Sequence, residues 1–395
     1  MIKEKRQLNM LKVRRCIIIL VLIILLIITC VCVKINKNKN RYKELTFLLN
    51  NEFIELSDEP ILDEDGNLFI TKDDVQKLFD ETIYYNEAEK ELITTYGSHV
   101  ALLKVDEAYA EINDETIELK GKLQEKNGEV YIPLTDIASV YDLEIVYSKD
   151  SNRFIMDSIN LKKVEATAIK RSNIETKKGL FGKKIDKVII GDKLIVIEES
   201  GNYKKVRTKL GNIGYIKTKK LSEETVVREK KEIAKKDVEV YRNYSNISGI
   251  YDNITVDEKK LNVVVPTFFY LENDSKVLDK TTSTTATYSI YKNWTSENKL
   301  EMLPTFTNNE SVSNNLLSYS QRTKAIISLK NYIIKYNYMG INIEFDSIND
   351  INSFYRFILE LVPRFKEEDL IVAVTINNNI DKAKIENVVD YIFEE

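Results

Sequence analysis

Cysteine is nearly missing from this 395-residue chain. Its three copies, Cys16, Cys30 and Cys32, all fall inside one apolar run, so everything from residue 34 onward is free of thiols. That excludes a disulfide scaffold and any Cys-ligated metal centre in the remainder. Histidine is scarcer still: His99 is the sole copy, which argues against His-ligated zinc and Ser-His-Asp chemistry. No block of basic residues stands outside the N-terminus, and the net charge of -4 is spread over interleaved Lys and Glu. Nucleic acid is therefore not an expected partner. With these groups gone, chemistry falls to carboxylates. A composition 30% charged and 43% hydrophobic is that of globular protein, and the length suits two to four domains.

What is present begins with "CIIILVLIILLIITCVCV", residues 16–33, which holds no charge. As a helix it would span about 27 Å, close to the thickness of a hydrocarbon core. It has no small-residue cleavage site, so it reads as an uncleaved membrane anchor and not as a signal peptide. Basic residues lie on both sides, from Lys3 to Arg15 and from Lys34 to Lys43, and their near balance gives little orientation. A cysteine-free remainder fits export. The expected arrangement is a cytoplasmic tail at 1–15, a single span at 16–33 and the bulk of the chain outside the cell membrane.

Two segments 62 residues apart repeat one another, "NLFITKDDVQKLFDETIYYNEAEKELITTY" from Asn67 and "EVYIPLTDIASVYDLEIVYSKDSNRFIMDS" from Glu129. Phe69 aligns with Tyr131, Ile70 with Ile132, Val75 with Ile137, Leu78 with Val140, Tyr85 with Tyr147 and Ile93 with Ile155. Each copy reads as strand, helical turn, strand, polar turn, strand. Two copies are too few for a solenoid and suit one compact α/β module. Residues 55–158, and "VYIPLTDIA" above all, resemble the bacterial stalk domain, also called the copper amine oxidase N-terminal-like domain. The resemblance implies a spacer or wall-contacting role. Despite the name, no copper site is expected.

From Val164 to Leu221 short β-rich runs alternate with turns at Gly191, Gly201, Gly211 and Gly214. Through "GDKLIV", "NYKKVRT" and "GNIGYIK", residues 162–222 resemble a bacterial SH3-like domain. This implies either a contact with cell-wall peptides or a plain spacer in which Tyr203 and Tyr215 serve packing. The following "SEETVVREKKEIAKK" reads as a helical or flexible linker.

After residue 237 apolar strand runs alternate with helical patterns. "LNVVVPTFFYL", "KLEMLPTFTN", "MGINIEF" and "LIVAVTI" read as buried parallel strands. "QRTKAIISLKNYIIKYN" and "INSFYRFILELVPRF" have the apolar spacing of helices packing on a sheet. In such a fold ligands gather at the C-terminal strand ends. There "YMGINIEFD" places Asn342, Glu344 and Asp346 on one face and Ile341, Ile343 and Phe345 on the other. Burying a carboxylate costs several kcal/mol unless it is paired, neutralised or required. The spacing alone leaves two readings open, a satisfied hydrogen-bond network in a barrel core and an acid–base site.

Residues 238–395 resemble the spore-wall and cell-wall branch of glycoside hydrolase family 18, the chitinase-like TIM barrels, in "LNVVVPTFFYL", "YNYMGINIEFDSINDINSFYRFILELVP" and "VVDYIF". "EVYRNYSN" near Glu239 then supplies the first strand. The family motif D-G-x-D-x-D-x-E falls on Met339 to Asp346. The resemblance implies Asp346 as the acid that protonates the glycosidic oxygen and Glu344 as the group that orients the substrate acetamide, itself the nucleophile. Asn342 and Asn308 are the candidate substrate-binding residues. The implied substrate is a β-linked N-acetylhexosamine polymer, peptidoglycan or chitin, with no metal and no organic cofactor. Trp294, with Tyr288 and Tyr291 on the same helical pattern, is expected in the core.

Two departures weigh on activity. The motif's final Glu is Asp346 and its preceding Asp is Glu344, so the two acids are exchanged in length, and the motif's first Asp is Met339. The match also stops at "VVDYIFEE", short of the last two βα units. The expected fold is thus a bacterial, multi-domain chain: transmembrane helix, α/β stalk domain, small SH3-like β-barrel and incomplete TIM (β/α)8 barrel. The expected partners are cell-wall polysaccharide and, through residues 16–33, the membrane. Weak or absent catalysis leaves a non-catalytic wall-glycan binder and an inactive truncated remnant as alternatives to a hydrolase.

Overall fold

The computed structural model describes residues 44–179, 181–230, 237–241, 254–281, 285–308 and 316–394. The tail at 1–15 and the apolar run at 16–33 lie outside the described residues. Among the described residues no helix is long and apolar enough to cross a membrane. They form a multi-domain, mostly sheet structure. The described residues divide into two compact units, those within Met1–Glu55 and Leu143–Lys231 and those within Leu56–Asp142 and Glu232–Glu395.

In the first unit, Leu143–Ser148 and Arg153–Ser158 form the hairpin that ends the second repeat copy. Thr46–Leu49 joins it in parallel, with Phe47 opposite Phe154. Seven further strands, from Lys163–Thr167 to Thr225–Arg228, make one antiparallel sheet over a core that includes Ala166, Ile174, Leu194, Val206 and Ile216. The stretch expected to be a linker is in part a strand: Thr225–Arg228 pairs with Lys163–Thr167 at the sheet edge. Its Thr-Val-Val core suits a strand. Arg228 fixes the end by donating to the Ser158 carbonyl and to Glu144, at 2.7 Å each.

In the second unit the two repeat copies meet through equivalent residues. Leu68–Thr71 runs antiparallel to Glu129–Pro133, with Ile70 opposite Ile132, so the pair is arranged about a local two-fold axis. Phe79 and Tyr141, also 62 residues apart, stack at 5.2 Å between ring centroids. Val75 and Ile137 are both fully buried. The hairpins diverge. That of the first copy, Tyr84–Asn86 with Glu91–Tyr96, continues into a five-stranded antiparallel meander ending at Glu115–Glu118. Its last turn places Asn113 and Asp114 at φ 46° and 71°, the conformation of a type I′ hairpin turn.

The rest of this unit is an open parallel array. Its strands, in spatial and sequence order, are β1 (Val238–Val240), β2 (Leu261–Val264 with Thr267–Leu271), β3 (Glu301–Met302 with Thr305–Thr307), β4 (Gly340–Ile343), β5 (Ile371–Ile376) and β6 (Tyr391–Glu394). β2 and β3 break at the same place, Pro266 and Pro304, because proline brings no N–H to the ladder. Their carbonyls still accept, from Thr305 N at 2.8 Å and Asn342 N at 2.9 Å.

Three helices cover one face: α1 (Thr285–Glu297), α2 (Tyr319–Tyr336) and α3 (Ile351–Lys366). α2 opens on a capping box between Ser318 and Gln321 and closes on Asn337 at φ 55°. α3 buries Phe354, Phe357, Ile358, Leu361, Val362 and Phe365, the i, i+3, i+4 stripe of a helix on a sheet. These meet Ile341, Ile343 and Phe345 in one large core that also takes Trp294 and Tyr291. The opposite face buries Val263, Val265, Leu303, Ala373 and Phe393. The meander joins the helices through Ile93, Val100 and Leu102, which pack with Tyr319.

Candidate functional site

The expected division of "YMGINIEFD" holds within β4. Ile341, Ile343 and Phe345 enter the helix-side core, and Asn342 points the other way, fully buried. β4 itself ends at Ile343, so Glu344 and Asp346 stand on the loop beyond the strand and not within it.

Gly340, the motif glycine, pairs with Ile371 of β5. A Cβ there would lie 2.0 Å from the Ile371 carbonyl oxygen and within 2.7 Å of the Ile371 backbone nitrogen. No side chain fits between the two strands at this point.

Asn342 answers for its burial with three hydrogen bonds. Its Nδ2 donates to Thr305 Oγ1 on β3 at 3.0 Å and to Glu344 Oε2 at 3.3 Å. Its Oδ1 accepts from Thr375 Oγ1 on β5 at 3.1 Å. One amide thus links three adjacent strands and steadies the half-buried Glu344, whose own backbone N–H donates to the Phe306 carbonyl at 3.0 Å. An amide can satisfy donors and acceptors at once, which a carboxylate cannot.

Asp346 is exposed. The backbone on either side of it is held by two asparagines from the neighbouring strand ends. Asn308, after β3, donates to the Ser347 carbonyl at 2.6 Å and accepts from Ser347 N at 3.5 Å. Asn377, after β5, donates to the Phe345 carbonyl at 3.3 Å. Asn308 is 3% exposed and its amide is committed to this backbone. The sequence reading missed Thr305, Thr375 and Asn377: Thr305 opens the Thr305–Thr307 segment of β3, Thr375 is the last but one residue of β5, and Asn377 follows β5. A polar residue within an apolar strand run flanking β4 is the signal that could have found the two threonines.

Chemically, the array presents one carboxylate seated on a buried amide, Glu344, and one at the rim on a pinned loop, Asp346. Both face the C-terminal strand ends, where parallel β/α folds place ligands.

Residues 48–156 match the copper amine oxidase N-terminal domain. The match takes in the first repeat copy and all of the second but Asp157 and Ser158. Copper prefers imidazole and sulfur donors, and residues 48–156 offer His99 and no cysteine. His99 lies 3.7 Å from Asp142. Among the described residues no group of three or more His, Cys, Asp or Glu could hold a metal ion. The donor set does not fit copper.

Among solved structures, the chain is similar over part of its length to chitinases and a glycosylase. A Group IV chitinase of Ostrinia furnacalis aligns at 17% identity and a TM-score of 0.33, covering 41% of this chain and 51% of that one. A chitinase of Chromobacterium violaceum aligns at 16% and 0.32, covering 41% and 55%. A putative sporulation-specific glycosylase of Bacillus subtilis aligns at 16% and 0.28, covering 33% and 48%. The chain spans about half the length of these proteins. No curated protein matches the chain.

Proposed function

We propose that residues 238–395 form a glycoside hydrolase family 18-like module that takes β-linked N-acetylhexosamine polymers, peptidoglycan or chitin, at the C-terminal strand ends. One observation carries the reading: Asn342 joins Thr305, Thr375 and Glu344 across three parallel strands, and Asp346 stands on the loop directly beyond. In this reading Glu344 orients the acetamide, whose oxygen attacks the anomeric carbon, and Asp346 delivers a proton to the leaving oxygen. An aspartate is one C–C bond, about 1.5 Å, shorter than a glutamate. A misplacement of about 1 Å costs on the order of 100-fold in rate, so turnover is slow.

A second reading, a wall-glycan binder without turnover, is favoured by the exposure of Asp346, since a general acid works best shielded from water. Residues 16–33 would anchor the chain in a bacterial membrane with its bulk outside, and residues 162–222 would be an SH3-like wall-contacting module.

The test is release of reducing ends from chitooligosaccharide and from peptidoglycan by the full chain. Slow turnover, lost in Asp346→Ala and raised in Asp346→Glu, supports the hydrolase. Binding without turnover in both supports the lectin-like reading. Neither binding nor turnover refutes both.

A further inference from the structure

Charge in the chain is lopsided in a way the total conceals. Residues 162–222 hold 17 Lys and Arg against six Asp and Glu, although the whole chain is at -4. No contiguous block shows this in sequence. At one end of this segment's antiparallel sheet three isoleucines stand in water: Ile169 at 47%, Ile189 at 52% and Ile190 at 65% exposure. An apolar patch left open and rimmed by polar groups marks an interaction surface.

The patch is built, not incidental. Ile189 to Asp192 form a turn in which Asp192 N donates to the Ile189 carbonyl at 3.2 Å. Gly191 sits at its third position with φ 94°, where glycine is favoured. The Asp192 carboxylate is occupied in accepting from Ile189 N at 2.8 Å. The turn is seated on the neighbouring strand end: Gly191 N donates to the Ala168 carbonyl at 2.9 Å, and Ala168 N to the Asp192 carbonyl at 2.8 Å. Ile169 N donates to the Lys220 carbonyl at 2.9 Å. Backbone bonds therefore hold the segments bearing Ile169, Ile189 and Ile190 together.

Lys170, Arg171, Lys187 and Lys193 are exposed around these segments, and Lys220 is half-buried. Lys193 pairs with Glu165 at 3.4 Å. Among the described residues the other four form no ion pair.

We propose that the Ile169–Ile189–Ile190 end of this sheet docks on an anionic lipid surface, the isoleucines entering the interface and the basic residues meeting headgroup phosphates. Charge complementarity selects a negative partner, with each base near such a surface worth about fivefold in affinity. The isoleucines select a bilayer over a soluble polyanion, because a polyanion leaves them in water. Ile190 sits on a turn and is 65% exposed, and a bilayer interface accepts such an apolar side chain.

The experiment sediments the full chain, kept soluble in neutral-lipid nanodiscs, with sucrose-loaded vesicles of phosphatidylcholine alone or mixed with phosphatidylglycerol. The wild type is expected to partition to the mixed vesicles only. Ile190→Ser lowers that partition about tenfold, and Lys187→Gln with Arg171→Gln lowers it on the order of 20-fold. All these side chains are exposed, so an unchanged Tm checks that the fold is kept. Equal partition of wild type and Ile190→Ser overturns the proposal, as does equal binding to neutral vesicles. Capture of wild type and Ile190→Ser alike by soluble polyphosphate, with no vesicle binding, would assign the basic surface to a polyanion and also overturn it.

Discussion

Arg322 on α2 and Glu360 on α3 face each other at 2.8 Å with both side chains 1% exposed, and the Tyr84 hydroxyl of the five-stranded meander lies within 3.1 Å of Glu360 and receives Arg322 Nη2 at 2.5 Å. Burial by itself would lower the Arg322 pKa; the Glu360 carboxylate overcomes that and holds the guanidinium charged. Burial, then Glu360, pushes the Tyr84 hydroxyl far up, so it stays protonated as a donor. Arg364 repeats the connection one turn along α3. It is fully buried, bonds Asp114 of the type I′ turn at 2.8 Å and meets the Tyr319 hydroxyl at 2.9 Å.

Removing one member of such a buried pair leaves the other charge uncompensated, at about 3–5 kcal/mol. Glu360→Leu is therefore expected to lower stability by that amount. Arg322→Met with Glu360→Leu recovers most of it, since two apolar groups replace two charges. Denaturant titration of the single and double variants measures the difference; a double variant as unstable as the single would mean the pair's value lies in its hydrogen bonds to Tyr84 and to the Leu316 and Leu317 carbonyls.

In the other unit, Asp157 is the carboxylate whose pairing bears on acid stability. It is paired with Arg207 through two bonds at 2.6 and 2.5 Å. Burial would raise its pKa, but Arg207 and then Lys163 hold it below the ordinary carboxylate value. A depressed folded pKa gives stability that is present above the unfolded pKa, about 3.9 for Asp, and lost as pH falls through the folded value. In Asp157→Asn the slope of stability against pH below about 4 should flatten. An unchanged slope in urea unfolding at pH 2–5 would show that other carboxylates set acid unfolding.

Much of the array was legible because period and burial go together. The helices α2 and α3, the strands of "LNVVVPTFFYL" and "LIVAVTI", and the opposed faces of Asn342 and its neighbours Ile341 and Ile343 follow from spacing alone. The repeat makes Ile70 and Ile132 equivalent positions, but that their strands pair with one another is seen only in the fold. What spacing does not carry is partner choice. Nothing local to Tyr84 announces Glu360, 276 positions away. Thr225–Arg228 was hidden by its charged surroundings, because edge strands tolerate charge. Where β4 stops was also not legible, so Asp346 was placed on a strand and not on the loop that Asn308 and Asn377 hold.

Gly340 admits a sharper expectation. A Cβ at 2.0 Å from the Ile371 carbonyl oxygen cannot be relieved by turning a flexible side chain, because the obstacle is backbone. Gly340→Ala should force β4 and β5 apart and cost more than the 1–3 kcal/mol or so of ordinary overpacking. The measurement is Tm and soluble yield, with Ser347→Ala, on the adjoining loop, as a control expected to fold normally. A Gly340→Ala variant with wild-type Tm would mean the two strands are less closely joined than this register implies.

The paired asparagines bear on the proposed chemistry through the backbone they hold. Asn308 holds the Ser347 carbonyl at 2.6 Å and Asn377 the Phe345 carbonyl at 3.3 Å, so together they fix the backbone that carries Asp346. If Asp346 protonates a leaving group, loosening that backbone should lower kcat while leaving KM nearly unchanged, because an acid acts in the transition state and not in substrate binding. Asn377→Ala, at the more solvent-accessible of the two positions, is expected to reduce kcat about tenfold, given that a displacement of about 1 Å costs on the order of 100-fold. Asn308→Ala should do the same with a larger loss of stability, since Asn308 is buried and its removal leaves the Ser347 carbonyl without its donor. A rise in KM at constant kcat would instead assign these asparagines to sugar binding.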